Sequence, residues 1–221
     1  MGLKFEVVWP YRHYFVVGAK LTLYVTFICV VCGFILGVLL SLMKLSKFKP
    51  FQWFGRIYTS VFRGTPLLVQ LCIIHFGLPN LFGLTFTATQ SGIITFSLNS
   101  AAYISEIFRG GIQAIDKGQY EAAKSLGVSY TGMMKDIIIP QAFKHILPSL
   151  VNEAIAVLKE SSQLSYIGAV ELLRAADQIT VMSYRFFEPY LIVAAVYYVF
   201  VMILSYFASR VEKWVNRSDR T

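Results

Sequence analysis

Charge is scarce in this chain. Only 14% of its 221 residues are Asp, Glu, Lys or Arg, where soluble globular domains carry about 25%. A globule of 25 kDa has too much surface for its volume to hide a composition that is 56% hydrophobic. With a mean hydropathy of +0.60, the composition excludes an ordinary soluble fold and asks for lipid as the solvent. Cysteine is equally sparse. Cys29, Cys32 and Cys72 are odd in number and lack framework spacing, so structural disulfides are not expected. Cys29-Val30-Val31-Cys32 has the spacing of a redox or metal pair. It lies in an apolar run without a neighbouring His or charge, as packing thiols do.

Catalytic signatures are missing as well. No G-x-x-x-x-G-K-[S/T] run occurs, so the chain has no loop of its own to cradle ATP phosphates. His13, His75 and His145 stand in separate segments and form no H-E-x-x-H pattern. No metal cluster or nucleophile–base set appears, which leaves a multispan enzyme without its chemistry. Internal repeats and low-complexity runs are absent. Residues 1–20 are interrupted by Glu6, Trp9, Pro10, Arg12 and Lys20, so no continuous signal-peptide core is present and the first hydrophobic helix is expected to be retained. Acid is scarcer than base, with a net charge of +8. In so apolar a chain the basic residues are read as topology determinants and not as nucleic-acid contacts.

What is present is a series of long apolar runs. A bilayer core of about 30 Å takes roughly 20 helical residues. Five stretches meet that length: about Leu21–Met43, Ile57–Phe82, Thr87–Phe108, Asp136–Leu158 and Pro189–Ala208. The expected fold is therefore an all-α membrane protein of about five transmembrane helices, forming a single domain over residues 1–221. Placing the N-terminus outside and the C-terminus inside puts 14 basic residues inside. Six remain outside: Lys4, Arg12, Lys20, Lys159, Arg174 and Arg185. The positive-inside rule favours that orientation. It makes the polar loop at about 113–136 cytoplasmic and leaves Lys159–Glu188 as a second polar connection.

The cytoplasmic loop has its own structure. Asp116-Lys117-Gly118-Gln119 reads as a turn, and Tyr120–Leu126 as a short helix that Gly127 closes in the left-handed conformation. Ser129 is placed to cap the helix that follows. Ala122 and Ala123 leave room for a close partner. On the residues alone this segment is equally a simple re-entry loop.

Polar groups within the spans are costly, at about 2.5–3.5 kcal/mol for a mid-membrane charge, and each is a functional candidate. Asn99 falls near the middle of the third span. Glu153 lies in the outer half of the fourth, on one face with Glu160. Glu153 suits the ammonium group of an amino acid or a cationic side chain, and reads alternatively as an interhelical partner. Pro148, one turn before it, and Pro140 interrupt backbone hydrogen bonding. Thr65 and Gln70 are weaker substrate candidates, since Thr-Pro often serves the local backbone. Glu106 and Arg109, three apart at the inner end of the third span, are read as a structural or gating ion pair.

Glu121-Ala122-Ala123, three residues, Gly127, nine residues, then Ile137-Ile138-Ile139-Pro140 resembles the EAA motif of ABC importer permeases, with Ile139 where the family usually has Leu. Arg63–Gln70, Ser100–Ile112, Asn152-Glu153 and Lys159–Ser162 are similar to the branch that serves polar amino acids. The resemblance implies that Glu121, Ala122, Ala123 and Gly127 couple to a separate ATP-hydrolysing subunit, which binds ATP and Mg. It further implies a second permease chain, identical or related, an extracytoplasmic amino acid binding protein and a bacterial plasma membrane. It places the pathway along the helices that carry Thr65, Gln70, Asn99 and Glu153, with Arg63 as a gating or structural residue. Gln163 stands where the family more often has an apolar residue and bears on specificity. The competing class is an ion-coupled secondary amino acid transporter, whose folds commonly show inverted repeats or broken helices in matching halves.

Overall fold

The computed structural model describes residues 2–217, with side chains through Lys213, and every regular element among them is helical. Arg220, one of the basic residues that set the expected orientation, lies outside the described residues. The first helix, α1 (Phe5–Leu45), is interrupted only by a tight turn at Trp9–Tyr11, where Pro10 withholds a donor. α2 (Lys49–Gly64) starts with Pro50 in its first turn. α3 (Leu67–Phe82) contains a π-helical turn at Ile73–Gly77. It stops at Gly83, whose φ of 66° is left-handed.

α4 (Ala88–Gln113) opens on a capping box in which Thr87 and Gln90 exchange side-chain and backbone hydrogen bonds. α5 (Lys117–Ser125) is the short loop helix. A π-helical turn at Met133–Ile138 then leads into α6 (Ile139–Glu160), which has Pro140 in its first turn and Pro148 inside. A 3₁₀ segment, Ser161–Ile167, precedes α7 (Leu172–Ser183) and α8 (Phe187–Arg217).

Two expectations need correction. The run Ile57–Phe82 is not one straight helix: α2 and α3 meet at an angle of 105°. The cause is local. A proline disfavours the helical conformation in the residue before it, and Thr65 sits extended at φ −122°, ψ 146°. Pro66 itself is also extended. The connection Lys159–Glu188, in turn, is not a plain polar loop. α7 packs against α1 and α8, and Glu171 is fully buried at its N-terminus. There it accepts hydrogen bonds from the Leu173 and Arg174 amides and from the Tyr197 hydroxyl. A buried carboxylate persists only when its lone pairs are satisfied.

By length and apolarity, two helices among the described residues are able to cross a membrane, Phe5–Leu45 and Phe187–Lys213, or three if the bent pair α2–α3 counts as one span. α4 and α6 have 26 and 22 residues, enough to span. They are less apolar because their inner faces are polar: α4 buries Ser91, Thr95, Ser97, Asn99, Ser100 and Ser105.

The most extensive helix pair is α1 with α4. Small residues set their approach, as is usual where lipid gives helices no hydrophobic reason to associate. A Cβ on Gly37 would stand 2.6 Å from the Ile104 side chain, and one on Gly33 would stand 2.9 Å from Ser100. The remaining apolar packing forms three clusters. One lies around Val25, Leu71, Phe96 and Leu164, and one around Phe15, Leu172, Ile179 and Val193. The third, around Ala123, Met133, Ile138 and Ile146, fixes the loop to α6. Gly37→Leu is expected to force α1 from α4 and cost about 1–3 kcal/mol, the range for overpacking. A lowered thermal midpoint of the purified chain, partly restored by adding Ile104→Ala, is the outcome that checks it.

Candidate substrate and coupling sites

The break between α2 and α3 releases backbone carbonyls that no helix donor reaches. Side chains take them. The Gln70 amide donates to the carbonyls of Phe62 (2.9 Å) and Thr65 (3.1 Å) and to the Thr65 hydroxyl (2.8 Å). Asn99 reaches across from α4, donating to the Phe62 carbonyl at 2.9 Å and to Gln70 Oε1 at 3.0 Å. The Thr65 hydroxyl donates back to Val61. Asn99 and Gln70 are 5% and 7% exposed, so their polar atoms are committed to the break.

Glu153 is placed differently. It meets Ser100, whose hydroxyl donates to Oε1 at 2.7 Å. Since Ser100 stands at the middle of α4, Glu153 lies deeper in the bundle than counting along its own span suggests. Gly33 of α1 backs the same point, so three helices converge there. Glu153 forms no ion pair among the described residues. Glu160, two turns along the same face, accepts no hydrogen bond among them. Gln163, in the 3₁₀ segment, has a buried amide oxygen without a hydrogen-bond partner. These three acceptors run from the middle of α6 past its C-terminus, with no salt bridge to any of them among the described residues, although Lys159 lies close enough for its charge to act on Glu160. Pro148 removes one backbone donor from α6 a little over a turn before Glu153.

Towards the C-terminal end of α4, Glu106 gathers three cations. Arg109 binds it through Nη2 (2.6 Å) and Nε (2.8 Å), Lys44 of α1 through Nζ (2.8 Å), and Arg63 of α2 lies 3.7 Å away. The Arg109–Glu106 pair expected from the i,i+3 spacing is present and is one part of a larger cluster. Lys44 also donates to the Ser105 hydroxyl at 2.9 Å.

The loop beyond α4 is built as its sequence suggests, with one shift: Asp116 caps α5 directly, accepting from the Gly118 amide at 2.7 Å. Gly127 has φ 72°, and the Gly127 and Val128 amides donate to Lys124 and Ala123 to close the helix. Ser129 accepts from the Gly132 amide. Ala123 is buried in the loop cluster, whereas Glu121 and Ala122 are exposed.

Residues 30–217 match the family model of the binding-protein-dependent transport system inner membrane component. The chain belongs to this family of ABC permeases. Among its relatives, the arginine transport system permease protein ArtQ of Bacillus subtilis is 46% identical over 219 residues, 99% of this chain and 100% of that protein. The putative glutamine transport system permease protein GlnP of Rickettsia bellii is 46% identical over 204 residues, 92% of this chain and 94% of that one. A crystal structure of an amino acid ABC transporter with histidines superposes with a TM-score of 0.92 at 45% identity, covering 96% of this chain and 99% of the other. The inward-facing methionine transporter MetNI, 20% identical, shares the fold at a TM-score of 0.76, covering 93% and 98%.

Several features of the permease escape the sequence. Lys44 belongs to the Glu106 cluster, but in sequence it stands in a basic patch with Lys47 and Lys49 that reads as a topology signal. Ser100 is the partner of Glu153, and nothing local distinguishes it from the other serines of α4. Leu126 and Tyr130 are 81% and 70% exposed on the loop, where an apolar residue beside Gly127 was the available sign. Asn99→Ala is expected to leave the Phe62 carbonyl and Gln70 under-bonded, at a cost of about 1–3 kcal/mol. A thermal midpoint lowered by Asn99→Ala while Asn152→Ala, at an exposed position, leaves it unchanged is the check.

Proposed function

We propose that this permease carries a polar or cationic L-amino acid inward by alternating access, driven by a separate ATPase subunit. The observation that carries the reading is the acceptor row Glu153, Glu160 and Gln163. A carboxylate away from water needs a cation or a full set of hydrogen bonds, and among the described residues Glu153 has one hydrogen bond and no ion pair. An α-ammonium or a guanidinium supplies what is missing, and the arginine and glutamine permeases among the relatives agree with this substrate class. Glu153 and Ser100 hold the positive group, with Glu160 and Gln163 extending the polar track. Asn99, Thr65 and Gln70 act on the substrate through the break that they hold, whose backbone lines the path.

In the same reading, five spans run with the N-terminus outside, and α5 lies on the cytoplasmic side. Two copies, identical or related, enclose the pathway in a bacterial plasma membrane, and an external binding protein delivers the amino acid. The exposed Glu121, Ala122, Leu126 and Tyr130 meet the ATPase, while buried Ala123 and the turn at Gly127 pass its movement to α6. Glu106 with Lys44, Arg63 and Arg109 holds α1, α2 and α4 together, and Pro140 and Pro148 shape α6.

The test is ATP-driven uptake of labelled amino acids into liposomes holding the chain with its ATPase and binding protein. Truncating one member of a buried charge pair costs about 2–5 kcal/mol, so Glu153→Gln is expected to lower uptake of a cationic substrate about 30-fold or more. Wild-type uptake by that variant overturns the site. Uptake driven by an ion gradient without ATP overturns the importer. Leu126→Asp is expected to do the reverse of Glu153→Gln: co-purification of the ATPase falls about tenfold, while the isolated chain keeps its thermal midpoint.

A further inference from the structure

A cavity of about 670 Å³ opens between α1, α2 and α4 at the end of the bundle next to the coupling loop. Lys44, Arg56, Arg63 and Arg109 line it against a single carboxylate, Glu106. Glu106 is already shared by Lys44, Arg63 and Arg109, and Arg56 has no ion-pair partner among the described residues. Ser41 and Ser60 add hydroxyls to the lining. Glu153 and Ser100 are not part of it, so the cavity is separate from the proposed substrate track.

We propose that this cavity binds a phosphate-bearing anion that carries no positive group of its own. Four basic side chains against one acid attract negative charge, and two of the cations, Arg56 and Arg63, project from one face of α2, two turns apart, so that both reach one ligand. Guanidinium forks match phosphate oxygens bidentately. The transported amino acid is a poor occupant. Its ammonium would face the same cations, and the one acid available to receive it is already shared by three of them. Zwitterionic headgroups are disfavoured for the same reason.

Two sources present such a phosphate, an anionic phospholipid headgroup and soluble phosphate. The surroundings suit the first. Trp53, Phe54 and Ile57 are exposed on α2 beside Arg56, and aromatic residues next to basic ones mark the boundary between hydrocarbon and headgroups. Basic pockets between membrane helices bind acidic headgroups by this arrangement.

The experiment measures thermal unfolding of the full-length chain in phosphatidylcholine nanodiscs. Inorganic phosphate is titrated against chloride at matched ionic strength, and a parallel series replaces part of the lipid with phosphatidylglycerol. A rise in the midpoint with phosphate above that with chloride assigns soluble phosphate. A rise with phosphatidylglycerol alone assigns the headgroup. Charge-assisted hydrogen bonds from a guanidinium are the strong ones, so Arg56→Gln should weaken the apparent affinity about tenfold or more. Glu106→Gln should strengthen it relative to that variant's own baseline. The proposal fails if neither anion shifts the wild type beyond chloride, or if Arg56→Gln responds as the wild type does.

Discussion

A backbone carbonyl in hydrocarbon has no water to turn to, and a helix that stops inside the bundle exposes several at once. The break at Thr65-Pro66 does this at 105°, and the fold is arranged to absorb it. Gln70 lies one turn into the new helix and folds back on the old one. Asn99 closes the remaining gap from α4, which fixes the height at which α4 stands against α2. Ser100, the next residue, then meets Glu153. α4 also needs α1 close by, and the glycines at 33 and 37 allow it. The polar inner face of α4 is thus a continuous construction in which one backbone defect positions the acidic residue at the centre.

Much of this was legible in the residues. Lipid as solvent followed from composition, and the shape of the loop at 113–136 followed from Asp116, Gly127 and Ser129, whose cap and turn chemistry is local and therefore readable. The EAA spacing pointed to the family that the comparisons show. What failed to show was long-range. Thr-Pro speaks for local backbone service within one span, whereas the bend depends on whether side chains elsewhere capture the freed carbonyls, and Asn99 is 37 residues from Phe62. The buried role of α7 was hidden for the same reason: Glu171 in sequence is one more acid in a polar stretch, and only Tyr197, 26 residues on, explains why it tolerates burial.

The middle and the C-terminal end of α4 use charge in opposite ways. Around Glu153 an acid lacks an ion-pair partner among the described residues, and around Glu106 cations outnumber the acid. A neutral bundle would have needed neither. Placing unmatched negative charge at depth and unmatched positive charge at the basic mouth gives the molecule a polarity along its axis, and each surplus names the kind of group it lacks.

The π-helical turn at Met133–Ile138 lies between the loop helix α5 and the helix that bears Glu153. Relative to an uninterrupted α-helix, a π turn accommodates one extra residue, and each residue turns a helix by about 100°. The extra residue therefore sets the angular phase of Glu153 relative to α5. Without it, the carboxylate would swing about a quarter-turn away from Ser100 while the loop stayed in place.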